Sequence, residues 1–454
     1  MGAVSDVEAR EGPPRPIEQA PRAPGRLPLV GHMLPLVRDL PGLLRACGAD
    51  SSPMHELSFP FTFDFYLWSE PEALSLLSRK DVSASESARI GEVISGRTSM
   101  LSSDGADHRR RRGASNQPFT PKGLSMTGVA AVISEVVERR VGAMLERGEV
   151  CMLDETQALT LEILFRVLGV PQHEVEDWAL RYRHMLASTM LPKLNFPGSP
   201  YRRALEARRW VDERLARYVE QAKREPDAEG KGLVAAFVAG RDDEGKGLSE
   251  VEIFDNLRLL VLAGHETTAS VMAWMVYYLG QSPELFARVL AEAKRGPGLP
   301  QTVKEMRQFP LAEAVFREAL RLHPPATIAS RRTLEPMTLA GYAVPADTVI
   351  GIPLWLFNRD PDTFSEPDRF EPDRWLREAR RLSVIETCAF GAGSHFCLGY
   401  HMAVLEGVQF AVALALALDA AGLRPETQSR RPRENFLPLM RPEFDDTRTR
   451  FVTA

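Results

Sequence analysis

The chain has 454 residues, 44% apolar and 26% charged, the make-up of a globular protein with a large buried core. Its net charge of −5 excludes a general electrostatic pull towards nucleic acid or anionic membranes. Four cysteines, Cys47, Cys151, Cys388 and Cys397, exclude a disulfide framework at this length and point to a reducing compartment.

Residues 1–26 are polar, acidic and proline-rich without apolar periodicity, so they are expected to form a flexible N-terminal arm. They lack the basic start and apolar stretch of a secretory signal. The alternation in "FTFDFYLW" predicts strands. In the middle of the chain, "ISEVVERRVGAMLERG" and "LEARRWVDERLARYVEQAKRE" place apolar residues three and four apart with charges between them, as helices do. "DNLRLLVLAGHETTASVMAWMVYYLG" reads as a long apolar helix interrupted midway by a small polar cluster. Beyond Pro324, "MTLAGYAVPADTVIGIPL" reads as strands and turns, and "NRDPDTFSEPDRFEPDRW" as a proline-rich meander. A last helix follows Cys397, and its run "FAVALALAL" is far shorter than the ~18 uninterrupted apolar residues that mark a membrane span. These elements predict a mainly α fold with a minor β region, a single domain over 27–454, in a cytoplasmic protein with no membrane or nucleic-acid partner.

Chemistry concentrates in "FGAGSHFCLG", Phe390 to Gly399, where one cysteine sits on a glycine-rich turn ahead of a helix. Such a thiol can be a core residue, a nucleophile or a metal ligand. Gly391, Gly393 and Gly399 allow a sharp turn and a close approach by something large. A helix N-terminus and donated N–H groups are expected to stabilise a thiolate. Zinc needs about four ligands, usually in paired spacing, and only His401 stands at a suitable distance from Cys397.

The stretch resembles the haem-ligand signature of the cytochromes P-450, Phe-x-x-Gly-x-(Arg/His)-x-Cys-x-Gly, matched by Phe390, Gly393, His395, Cys397 and Gly399. The resemblance implies a triangular helical prism with haem b between a long distal helix and a proximal helix that carries the cysteine. Cys397 is then the axial thiolate, shielded by Phe390, and its electron donation favours O–O cleavage. Further motifs follow the family's order. "EALR" supplies Glu318 and Arg321, on one helical face, and the family's locking arginine corresponds to Arg369 of "PDRF". "AGHETT" resembles the distal (Ala/Gly)-Gly-x-(Asp/Glu)-Thr motif, with small Ala263 and Gly264 leaving room above the ring. Thr267 is expected to hold a water near bound dioxygen and Glu266 to link it to solvent protons, because two protons must reach the distal oxygen. His108 and Arg112 of "DHRRRRG" match positions that bind the haem propionates, as do His395 and either Arg331 or its neighbour Arg332. Arg109, Arg110 and Arg111 are left as a solvated basic face on which an acidic redox partner is expected to dock.

Family position also gives the substrate contacts. They come from the loop "SASESARIGEVISGRT", the helices flanking "LASTMLPKLNFPGSPYRRAL", Leu259, Leu262 and Ala263, then Ala326, Thr327 and Ile328, and last Phe436 and Leu437. Most are apolar, which favours a terpenoid, steroid, fatty or polyketide-like molecule. "FPGSPYRRALEARR" somewhat resembles a segment of members acting on isoprenoids and sterols. The implied activity is a monooxygenase using O2 and electrons from a separate ferredoxin or flavodoxin with an NAD(P)H-dependent reductase. The rivals are a peroxide-driven peroxygenase and a non-catalytic haem-thiolate sensor or carrier.

Overall fold

The computed structural model describes residues 13–59, 65–84, 92–188, 193–225, 232–376, 382–428, 430–436 and 439–454. Its centre is the helix Glu250–Gln281, about 48 Å long at ~1.5 Å per residue. Ser249 starts it through a capping box with Glu252, each side chain bonding the other's backbone N–H. The helix continues through Ala263–Thr268 without a break, so the polar cluster rides on an intact α-helix. Helix Met152–Val167 packs along it, and Thr156 Oγ1 donates to Ala269 O at 2.9 Å.

The helix Tyr400–Ala420 follows the cysteine loop, and its apolar face is buried through Val404, Leu405, Val408 and Phe410. By length and composition, Glu250–Gln281 and Tyr400–Ala420 are both apolar enough to cross a bilayer, but 72% and 78% of the respective apolar windows are buried inside the fold. The sequence criterion of an uninterrupted apolar run missed both.

A five-stranded sheet flanks the helices, in the order Met54–Leu57, Phe65–Trp68, Val349–Ile352, Ala329–Thr333, Val82–Ser83. Residues 61–64 of the strand expected at "FTFDFYLW" lie outside the described residues. The arm departs from expectation. Residues 13–26 are not detached: Arg15–Pro16 pairs in parallel with Tyr342–Val344, and Ile17, Ala20 and Ala23 are buried. Proline suits such an edge strand, which needs few ladder donors.

Glu318 and Arg321, on helix Pro310–Leu322, are fully buried and face each other at 2.8 Å. Arg321 donates to the carbonyls of Asn358, Pro367 and Arg369, so it holds the meander by its backbone. The expected lock by the Arg369 side chain is corrected. That side chain is 61% exposed and pairs with Glu366 and Glu371. Arg374 takes the place, with its Nε 3.0 Å from Glu318 Oε1, and Trp375 Nε1 donates to Oε2 at 2.8 Å. The tandem "PDRF" and "PDRW" offer the same arginine twice, and the 3-10 turn Pro372–Trp375 aims the second inward.

Breaking a buried ion pair leaves an uncompensated charge, whereas an exposed pair contributes little. Arg374→Ala is therefore expected to lower unfolding free energy by roughly 3–5 kcal/mol, and Arg369→Ala by less than about 1 kcal/mol, in denaturant titrations.

Candidate functional site

The cysteine loop is built from two short 3-10 turns, Cys388–Phe390 and Gly393–His395. Cys397 N donates to Phe390 O at 2.8 Å, which closes the loop just before the helix begins. Gly393 has φ +63°, and a Cβ there would lie 2.7 Å from Ser78 Cα, so both conformation and space demand glycine. The Phe390 ring packs edge-on against Tyr400 with centroids 4.8 Å apart, and neither it nor Gly391 lines the cavity.

The loop presents Cys397 to a cavity of about 970 Å³, its open mouth included. Cys388 is fully buried elsewhere, with Sγ 3.4 Å from Asn358 Oδ1, and takes no part in the cavity wall. Burial pushes the Cys397 thiol up, while the Gly399 N–H and Arg112 pull it down. In the protein alone, desolvation outweighs the one N–H and the guanidinium. A metal cation on the sulfur would reverse that balance. Among the described residues no three His, Cys, Asp or Glu side chains gather as metal ligands, so a multidentate zinc centre has no donors.

The central helix supplies the opposing wall through Leu259, Ala263, Gly264, Thr267 and Thr268. A Cβ on Gly264 would sit 3.2 Å from Leu164, so this glycine also permits the close crossing of its neighbour helix. Thr267 Oγ1 donates to Ala263 O at 2.6 Å. Glu266 faces away from the cavity: Gln157 Nε2 and Arg441 donate to Oε2 at 3.0 and 3.2 Å. His265 Nε2 is 3.5 Å from its other oxygen, and His265 Nδ1 meets Thr160 Oγ1 at 3.1 Å. These tethers, from residues far apart in the chain, had no sequence signal.

The cationic candidates gather at one end. His108 and Arg112, on helix Gly105–Ser115, line the cavity with His395, and the two imidazoles stack with centroids 3.9 Å apart. His395 Nε2 lies 3.2 Å from Asp104 Oδ1. Burial opposes ionisation of Asp104, but bonds from His395, Ser83 and the Ala84 N–H hold its carboxyl below the usual range. Burial lowers His108 to about 4. Arg331 is buried and senses Asp104, whereas Arg332 turns outward to Asp347 at 2.6 Å, since neighbours on a strand face opposite ways. Arg112 has no carboxylate partner among the described residues, and burial lowers its pKa. A half-buried guanidinium with two imidazoles beside it is a donor set for an anionic group. The basic face is smaller than expected: Arg110 and Arg111 bind Glu252, with Arg111 Nε at 2.8 Å from Oε1, and only Arg109 is left exposed.

Of the expected substrate contacts, Leu259 and Ala263 line the cavity. Leu262, Ala326, Thr327, Ile328 and Phe436 are outside its wall. Phe436 joins a separate core cluster with Met440, and Ile328 packs against it. Leu437, residues 85–91 and residues 189–192 lie outside the described residues. Met100, Phe119, Leu260, Met402 and Glu406 line the cavity without having been foreseen, because tertiary folding alone brings them there.

The family model described as Cytochrome P450 matches residues 21–441. The chain is 38% identical over 405 residues to "Cytochrome P450 BJ-4 homolog" of Sinorhizobium fredii, covering 89% of this chain and 90% of that one. It is 29% identical over 433 residues to "Cyclooctat-9-en-7-ol 5-monooxygenase" of Streptomyces melanosporofaciens, covering 91% and 92%. Among solved structures, "Retinoic acid bound cyanobacterial CYP120A1" superposes with a TM-score of 0.80 at 21% identity, over 96% of this chain and 100% of that chain, a likeness of fold.

Gly393→Ala is expected to cost at least ~2 kcal/mol in thermal unfolding, from left-handed backbone strain and the contact with Ser78. Gly399→Ala, with open space around its Cβ, is expected to stay within about 0.5 kcal/mol of wild type.

Proposed function

The chain belongs to the cytochrome P450 family and is a P450 monooxygenase, and we propose that it oxygenates a lipophilic, terpenoid-like molecule in the cavity above Cys397. One observation carries this: Cys397 and Thr267 line the same cavity, with an unpartnered Arg112 at its end. The residues fit a haem b, whose thiolate-bound iron supplies the activation of O2 for insertion of one oxygen atom into a C–H or C=C bond.

Cys397 Sγ would hold the iron, with Phe390 behind it. Arg112, His108, His395 and Arg331 would pair with the two propionates, which suits their burial and the lack of a carboxylate beside Arg112. Thr267 Oγ1 holds a water and passes protons at the cavity wall, and Ala263 and Gly264 keep that wall open. Glu266, held by Gln157 and Arg441, connects this wall to solvent protons. The apolar wall of Leu259, Leu260, Phe119 and Met402 favours a lipophilic ligand, and one relative is named for oxygenating cyclooctat-9-en-7-ol. Electrons come from a separate ferredoxin or flavodoxin with its reductase, in the cytoplasm, and exposed Arg109 is what is left of the basic docking face. Residues 27–454 form the catalytic domain, with 13–26 packed onto it.

Turnover of cyclooctat-9-en-7-ol and related terpenoids with NAD(P)H, ferredoxin and reductase tests this reading, against the same mixture given peroxide alone. Product is expected only with the electron-transfer proteins. Turnover by peroxide alone would make the protein a peroxygenase, and ligand binding without turnover in either mixture would make it a sensor. Thr267→Ala is expected to raise the share of consumed O2 released as peroxide by roughly tenfold, because general-acid assistance of this kind is worth ~10²–10⁴-fold and Glu266 is retained.

A further inference from the structure

Residues 92–103 contribute Met100 and Leu101 to the cavity wall, yet little of this segment is regular beyond a helical turn at Glu92–Ser95 and a 3-10 turn at Met100–Ser102. Side chains of the central helix hold it. Asn256 Oδ1 accepts the Met100 N–H at 2.8 Å. Asp255 Oδ2 accepts the Thr98 N–H at 2.9 Å and the Thr98 hydroxyl at 2.7 Å. Arg258 Nε donates to Ile94 O at 2.9 Å, and its guanidinium binds Asp255 as well as Asp212 of helix Pro200–Arg224. Asp255, Asn256 and Arg258 are all buried. Gly96 lies at φ +66°, and a Cβ there would collide with the Asp255 carboxylate.

A buried amide costs stability unless its donor and its acceptor are both bonded. Asn256 uses both. Nδ2 donates to Glu252 O, one turn back on its own helix, at 2.7 Å, which leaves Oδ1 for Met100. Exchanging the two ends would set N–H against N–H and oxygen against oxygen, so the amide has one working orientation. The Met100 N–H opens a helical turn and has no acceptor within it, and Asn256 supplies one. Asn256 itself is outside the cavity wall, whereas Leu259 and Leu260, three and four positions further along the same helix face, are part of it.

On the reading of the cavity given above, we infer that Asn256, with Asp255 beside it, is a positioning residue for substrate selection: it fixes the Met100 backbone so that the thioether stays in the wall. Methionine has three rotatable bonds and adapts to irregular gaps, so its side chain does not fix its own place. The clamp on Thr98 and Met100 does so from behind the wall. A group outside the cavity thereby sets which ligand shapes the cavity accepts.

Spectral titration of the haem-loaded protein with imidazole and with 4-phenylimidazole tests this. Imidazole reports access to the iron, and the added phenyl ring reports the wall. Asn256→Ala is expected to leave the imidazole Kd unchanged and to lower the preference for 4-phenylimidazole over imidazole by roughly tenfold, the upper end of a sulfur–aromatic contact. Met100→Ala is expected to lower it by the same factor. Adding Asn256→Ala to Met100→Ala is expected to lower it no further, because both act through one contact. Gln409→Ala removes another buried amide, bonded to the carbonyls of Ala130 and Pro300 and outside the cavity wall. It is expected to lower thermal stability with the preference unchanged, which separates positioning from general support. An Asn256→Ala protein with the wild-type preference, or a double variant that loses a further tenfold, would overturn the inference. If Asn256→Ala does not fold, Thr98→Val decides, since it removes only the hydroxyl bond to Asp255. Its preference is expected to fall about threefold, the share of one hydrogen bond, and an unchanged preference would contradict the clamp. A wild type in which imidazole gives no shift of the haem band would instead remove the haem-thiolate reading, and this inference with it.

Discussion

A half-buried thiol with little around it to stabilise its charge is the constraint on which the site depends. Desolvation raises Cys397, and the opposing help comes from one N–H and one guanidinium. The loop is held in place, with Gly393 against the Ser78 backbone and Cys397 N bonded to Phe390 O. A cation bound to sulfur resolves one side of this problem. Arg112, half-buried without a carboxylate, poses the opposite one. A single group with a metal cation at its centre and anions at its rim answers both.

The rest of the molecule treats buried charge differently. Glu318 is held by Arg321, Arg374 and Trp375, and that network pins the meander behind the cysteine loop. Glu252 caps the central helix and binds two arginines of the helix that carries His108 and Arg112. These compensated networks fix the walls. Among the described residues, Arg112, Thr268 and Glu406 line the cavity with no ion-pair or hydrogen-bond partner. Unsatisfied polar groups gathered in one concave space are what a ligand site looks like before the ligand is considered.

The parts legible in the sequence were local. The cysteine loop, the distal Ala263–Thr267 run and the Glu318–Arg321 pair are each set by residues within one or two turns. What was not legible depended on distant partners. Arg110 and Glu252 are 142 positions apart, so the basic run read as a free face. Arg369 and Arg374 occupy equivalent places in a tandem repeat, and only the turn Pro372–Trp375 decides which one points inward. Arg331 and Arg332 could be told apart only once strand register placed one on each face. The apolar walls defeated position-by-position reasoning, since Phe436 and Ile328 belong to a neighbouring core rather than the cavity. Glu406 went unread in the sequence, because only the fold places it on the cavity wall.

The most direct measurement is the absorption spectrum of the reduced, carbon-monoxide-treated protein, compared among wild type, Cys397→Ala and Cys388→Ala. Wild type and Cys388→Ala are expected to share the maximum near ~450 nm that marks thiolate-bound haem, and Cys397→Ala to lack it. A Cys397→Ala protein that keeps the band, or a haem-loaded wild type that never shows it, would contradict the assignment of sulfur 397 as the iron ligand.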